Sequence, residues 1–423
     1  MENFLVKVVI ILLLMVCLGY FNEKVTKLTY EISLMLFSIV IGAVLLGAEV
    51  CVSGETASEI LGQFQFINLE QFLTEGVLCF MLFAGSCHMR LRSFKTYART
   101  ITLLSIGATL LGAVFYGLLF YGAGQLLGLG LSLPVCLMFG SITAPTDPIA
   151  ATSILKKFNL PKNIGFIIEG ESLLNDGVGV ALFGCFSGMV TAEANQGFFT
   201  VMIRELAGAV AVGLVVTFLI FPMFKRTGDE ARRIFASLLA VSAAYLICEI
   251  LGFSGAIASV VCGVMFSALR NREAEQGREM ELEKFDTFWE MADTLLNSAL
   301  YVMLGLSFLR ILTMPQVLLL SVVAIAANLI GRSCSVGAMS LFAGKLPDGY
   351  DRKNFVALLT WGGLRGGLCV ALAMSTSSML LETVYHIVLG GTYAIVFFTT
   401  IIQGMTMKSV YRHIEGNLAR HAD

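Results

Sequence analysis

The chain has 423 residues, of which 57% are hydrophobic and only 14% charged. Soluble domains carry about 25% charged residues, so this composition excludes an ordinary soluble protein and points to the membrane. A formal net charge of −2 offers neither a basic surface for nucleic acid nor an acidic one for a basic partner.

A helix needs about 20 apolar residues to cross a bilayer. Some 13 such runs follow one another, at roughly 4–21, 29–51, 70–88, 100–127, 132–155, 163–190, 199–224, 233–251, 254–269, 290–309, 315–343, 354–378 and 382–407. The first run lacks a small-x-small cleavage site and reads as a span, not a secretion signal. The polar stretch from Arg270 to Lys284 reads as a cytoplasmic linker or surface helix. It divides a single transmembrane domain, 1–412, into an N-terminal half (about 1–269), a linker (270–289) and a C-terminal half (290–412), with 413–423 as a short cytoplasmic tail. The expected fold class is therefore all-α and polytopic. The basic residues support this layout, because alternate loops hold most of the Lys and Arg: Lys24 and Lys27, Arg90 to Arg99, Lys156 to Lys162, Lys225 to Arg233, Arg270 to Lys284, Lys345 to Lys353, and Lys408 onward. Cytoplasmic loops carry the Lys and Arg, which sets the N-terminus outside and the C-terminus in the cytoplasm. The 10 cysteines form no C-x-x-C pair or Cys/His cluster. Cys79, Cys136, Cys185, Cys262 and Cys369 sit in apolar runs as small packing residues. No cofactor or resident metal is expected.

Charged groups at the centre of a transmembrane helix cost about 2.5–3.5 kcal/mol each, so those present need a reason. In the fifth span, Pro145 and Pro148 bracket Thr146 and Asp147. Each proline removes a backbone donor and clashes with the preceding turn, so a break is expected here. Carbonyls freed beside a carboxylate form an oxygen cage suited to a hard cation. The structural alternative is a kinked helix whose Asp147 caps the second half. The sixth span carries Glu171, Ser172, Asn175 and Asp176, and the four-residue spacings put all four on one broad face. The eleventh carries Asn328 and Arg332, also four apart, and Glu171 is the first candidate to pair with Arg332. In the twelfth, Gly362, Gly363, Gly366 and Gly367 surround Arg365; glycines cost about 1 kcal/mol each in a helix, so a second break is expected. Interrupted helices in corresponding places of two halves mark the binding site of secondary transporters.

These residues resemble the sodium/proton exchanger family of monovalent cation–proton antiporters, in its bacterial NhaP-like branch. The resemblance rests on Thr146-Asp147-Pro148, Glu171-Ser172-x-x-Asn175-Asp176, Arg332, Gly362-Gly-Leu-Arg-Gly366 and Gln403-Gly404-Met405-Thr406. It implies 13 helices in two inverted repeats, with a core domain moving against a dimerisation domain in a homodimer of the bacterial inner membrane. It implies that Asp176 and Asp147, with Ser172, Thr146 and Asn175, hold Na+ (or Li+) or H+. It also implies that Glu171 and Arg332 form a structural ion pair, and that exchange is electroneutral because Asn175 precedes Asp176. One departure is Ala84, which stands where many members carry an acid.

The expected function is exchange of Na+ (or Li+) for H+. Desolvation favours the neutral form of a buried carboxylate and a bound cation favours the charged form, so Asp176 would hold one or the other, never both. Exchange of K+ for H+ is the main alternative, since oxygen ligands alone do not separate the two ions. A cation channel and an intramembrane aspartyl protease are remote ones: no repeated filter segment is present, and Asp176 follows Leu174-Asn175, not a Gly-x-Gly. His88, His386, His413 and His421 fall near span ends or in the tail, and none is expected to be a pH sensor. Glu249 reads as a helix-end residue and Asn297 as an interhelical hydrogen-bonder.

Overall fold

A computed structural model of the protein describes residues 4–53, 77–88, 91–147, 162–191, 198–276, 282–309, 317–344, 346 and 350–420. Pro148, Lys156, Lys157, Lys345 and His421, the start of the third expected span and the second half of the fifth lie outside these. The regular elements among the described residues are all helices, without strands. The helices are α1 (Phe4–Phe21), α2 (Tyr30–Ser53), α3 (Leu78–Cys87), α4 (Leu91–Thr102), α5 (Thr109–Leu126), α6 (Leu133–Thr143), α7 (Lys162–Val190) and α8 (Phe198–Arg226). They continue with α9 (Glu230–Leu251), α10 (Gly255–Glu275), α11 (Glu283–Phe308), α12 (Val317–Phe342), α13 (Arg352–Trp361), α14 (Gly367–Ser375), α15 (Glu382–Phe397) and α16 (Gly404–Arg420). Short π-helical stretches, Leu103–Ala108 and Phe398–Gln403, join α4 to α5 and α15 to α16.

Among the described residues, nine helical stretches are long and apolar enough to cross a membrane. The other expected spans coincide with α10 and with the shorter helices α3, α6, α13 and α14. The spans α9 and α10 are separated by only three residues, two of which have a local cause. Gly252 takes the left-handed conformation (φ 69°) that ends α9, and Ser254 caps α10 by accepting from Ile257 N. Asp351 starts α13 in the same way, accepting from Asn354 N at 3.0 Å.

The stretch 270–289 is mostly helix: α10 runs through Arg270 to Glu275, and α11 begins at Glu283. Its charges pair with neighbours and extend the helices past the apolar runs. Arg270 meets Asp286 at 2.9 Å and lies over the Phe285 ring, and Lys225 meets Glu273 at 2.6 Å.

Two groups of helices emerge from the packing. In the first, α1, α2, α3, α8, α9, α10 and α11 contact one another. Phe83, Phe224 and Phe266 form edge-to-face pairs at its centre, and Trp289 packs against Phe83 with the two rings tilted by 51°. In the second, α4–α7 and α12–α16 pack together, with α7 and α14 reaching α10 and α11 of the first. Gly140 of α6 packs so closely on the Ala113 carbonyl of α5 that a side chain there would collide with it. That close approach brings the end of α6 into the middle of the second group.

Candidate functional site

Both expected breaks are present, and they cross. After Thr143 the chain leaves helical geometry through Asp147, and between Trp361 and Gly367 it does so again. The two segments are tied by Asp147 N donating to Leu364 O at 2.8 Å. Arg365, almost fully buried, donates from one guanidinium nitrogen to the carbonyls of Ala144 (2.6 Å) and Pro145 (2.7 Å), and from another to Asn328 Oδ1 (3.2 Å). Its backbone is held by the hydroxyls of Thr399 and Thr400, each at 3.0 Å. The cation thus sits at the negative end of the α6 dipole and satisfies carbonyls that have lost their helical donors. The freed Ala144 and Pro145 carbonyls are taken up by Arg365.

The polar face of α7 meets the first break. Asn175 Oδ1 accepts from Thr146 N (3.0 Å), while its Nδ2 donates to Thr146 Oγ1 (2.8 Å) and Glu171 Oε1 (3.0 Å). Ser172 Oγ lies 2.8 Å from Thr146 Oγ1. Glu171 in turn receives two parallel hydrogen bonds from Arg332, at 2.7 and 2.8 Å. All of these groups are buried. Asp147 Oδ2 accepts from Tyr301 Oη at 2.5 Å. No hydrogen bond to the Asp176 carboxylate is present among the described residues.

A cavity of about 210 Å³ reaches this crossing. Thr146, Asp147 and Asp176 line its depth, beside Ala84 and Gly366; Glu169, Glu290, Asp293 and His88 also line it, and the exposed Glu290 and His88 mark its opening. Of the five residues expected at the ion, three therefore face the cavity. Ser172 and Asn175 do not line it; both hold Thr146. Two carboxylates and a threonine oxygen suit a desolvated monovalent cation, and a carboxylate without hydrogen-bond donors is equally fit to carry a proton.

Gly366 has a steric role here. A side-chain carbon at this position would collide with the Asp147 carboxylate. Gly366→Ala should push Asp147 aside and lower transport about 10- to 100-fold, the range that a misplacement of about 1 Å costs at an enzyme site. Dye-monitored flux in proteoliposomes, with a thermal melt to verify folding, would check this.

Sequence reading missed Tyr301, the threonine pair Thr399–Thr400 and the acids Glu169, Glu290 and Asp293. Only Asp293 left a signal, its four-residue spacing to Asn297. Asn297 donates to Asp293 Oδ1 (2.9 Å) and to the Asp293 carbonyl, within its own helix, and so is not the interhelical bonder expected. Glu249 is exposed in the last turn of α9. His88 lies 3.6 Å from Asp286, and His386 and His413 lie on α15 and α16, away from the cavity lining.

Two helix ends whose non-helical segments cross at buried carboxylates beside a cavity form the kind of site that secondary transporters use. The comparison with known proteins gives the particular family: the chain belongs to the sodium/hydrogen exchangers, whose transmembrane family model matches residues 8–413. The family is one of transporters, not enzymes. The chain is similar to the Na(+)/H(+) antiporter NhaP of Pseudomonas aeruginosa, with 28% identity covering 94% of each chain. It is also similar to the Na(+)/H(+) antiporter NhaH of Halobacillus aidingensis, with 29% identity over 92% of this chain and 93% of that one. Among solved structures, the sodium proton antiporter MjNhaP1 of Methanocaldococcus jannaschii shares the fold, with a TM-score of 0.73, 20% identity and coverage of 98% of this chain and 99% of that one.

Proposed function

We propose that this protein exchanges Na+ (or Li+) for H+, one for one, across a bacterial cytoplasmic membrane. Asp176 is the carboxylate for which cation and proton compete; Asp147 and Thr146 complete the ion's oxygen shell, and Ser172 and Asn175 hold Thr146 in place. The single observation that carries this is the cavity that joins Asp147 and Asp176 at the crossing of two broken helices. The names of the relatives in both comparisons support the choice of Na+ and H+.

Alternating access follows if the second helix group rocks against the first and carries the crossing with it. The polarity of the loops supports an N-terminus outside and a C-terminus in the cytoplasm. The cavity then opens to the cytoplasm, beside Glu290 and the pair Arg270–Asp286. Exposed apolar side chains on α8 and α9, among them Leu219, Met223, Phe235 and Ile250, give a face for lipid or for the second copy of a homodimer.

The test is fluorescence dequenching of a pH dye in proteoliposomes on adding Na+, Li+ or K+. A response to Na+ and Li+ is expected. A response to K+ alone would keep the mechanism and change the substrate, and silence from folded protein would overturn antiport.

A further inference from the structure

Tyr301 is fully buried, and its hydroxyl donates to Asp147 across 154 positions of sequence. What distinguishes this bond is where it runs. Tyr301 belongs to α11 in the first helix group, where Gly305, one turn on, lets the helix press against the Met35 carbonyl and Ser38 of α2. Asp147 belongs to the second group. The other ties described at the site, Thr146 to Asn175, Arg365 to Ala144 and Pro145, and Glu171 to Arg332, all stay within the second group. Tyr301 to Asp147 crosses between the groups. Its neighbour Leu300 packs into the space left by the missing side chain of Gly367, which fixes the tyrosine at this boundary.

We propose that Tyr301 is a positioning residue that couples loading to movement: it latches Asp147 to the first group while the site is empty and releases it when the site takes up its load. This rests on the antiport proposed at Asp147 and Asp176. A phenol donating to a carboxylate makes a charge-assisted bond, about twice as strong as a neutral one. A cation seated between Asp147 and Asp176 draws on the same lone pairs, and a proton on the neighbouring Asp176 lowers the negative charge on which the bond depends, so either weakens the latch. Movement of the second group must break the bond. The added barrier is therefore largest for the form that carries nothing, and an exchanger leaks unless that form is held back. A hydrogen bond to a charged group is worth a factor of roughly 10 to 100 in rate or equilibrium.

The experiment uses full-length protein in proteoliposomes loaded with radioactive Na+ at equal pH on both sides. Exchange is read with Na+ outside. Net efflux is read without it, at a pH high enough to deprive the carrier of its counter-ion and with valinomycin and K+ clamping the voltage. In Tyr301→Phe the ratio of net efflux to Na+/Na+ exchange should rise roughly 10- to 100-fold over wild type, the factor above. Tyr301→Met, a second variant without the donor, should behave alike, so the result does not depend on one of them folding. Tyr301→Gln, which restores an N–H donor, should return the ratio toward wild type. A structural role for the tyrosine would lower both fluxes together. An unchanged ratio in the folded Phe or Met variant, or a Gln variant as leaky as these, overturns the latch while leaving antiport intact. Absence of cation-driven proton movement in wild type overturns antiport itself, and the latch with it.

Discussion

Asp176→Asn should reduce cation-driven proton movement to the level of empty liposomes for Na+, Li+ and K+ alike, and the purified variant should melt no lower than wild type. The side chains are nearly the same size, so packing on α7 is preserved. The amide neither exchanges a proton in the working pH range nor offers a negative charge to a cation, so both halves of the exchange lose their carrier at once. Stability is spared because the Asp176 carboxylate takes no hydrogen bond among the described residues, and a buried charge near the acid Asp147 is removed. Retained exchange in this variant, measured with the same dye and cations, would transfer the central role to Asp147. A variant that is inactive and also unfolds early would make Asp176 a structural residue.

The breaks in the two crossing helices are legible in the sequence because the cause is local. Pro145 removes a donor and crowds the preceding turn, and four glycines around Arg365 make helical geometry unfavourable within a few residues. The shared face of Glu171, Ser172, Asn175 and Asp176 follows from helical spacing alone. What those groups then do is not local. Nothing near Ala144 indicates that its carbonyl meets a guanidinium 221 positions later. Tyr301 reads in sequence as one aromatic residue in an apolar run, and only the fold brings its hydroxyl to Asp147. The helix ends were hidden for another reason. Apolar length measures what lipid or protein covers, whereas α10 and α11 continue beyond it because Arg270 and Asp286 satisfy each other. The π-helical stretches at Leu103–Ala108 and Phe398–Gln403 leave no composition signal, and the second places Thr399 and Thr400 on the Arg365 backbone.

Breaking the pair Glu171–Arg332 should give the largest loss of stability among single substitutions at the site. Both side chains are almost wholly out of water, and the guanidinium is matched to both carboxylate oxygens. Arg332→Leu leaves Glu171 charged in a dry interior where, among the described residues, the Asn175 amide alone donates to it. Stranding one member of such a pair costs about 3–5 kcal/mol. The loss also reaches the site, since the same Asn175 holds Thr146. Glu171→Leu strands the arginine, whose remaining side-chain hydrogen bond among the described residues is a long one to the Leu359 carbonyl. The double variant removes both charges, and replacing a buried pair by apolar groups is often neutral or stabilising. The double variant should therefore melt above either single one, giving a coupling of more than about 3 kcal/mol in a double-mutant cycle. The ion pair of Lys284 with Glu230, 3.7 Å apart with the lysine 80% exposed, supplies the control: Lys284→Ala removes the exposed charge but leaves the backbone bond from residue 284 to Glu230, and should cost no more than about 0.5–1 kcal/mol. Thermal melts of the four proteins in one detergent separate the cases. Simple additivity of the two single losses would mean that Glu171 and Arg332 stabilise the core independently of each other, and that the pair does not hold α7 to α12.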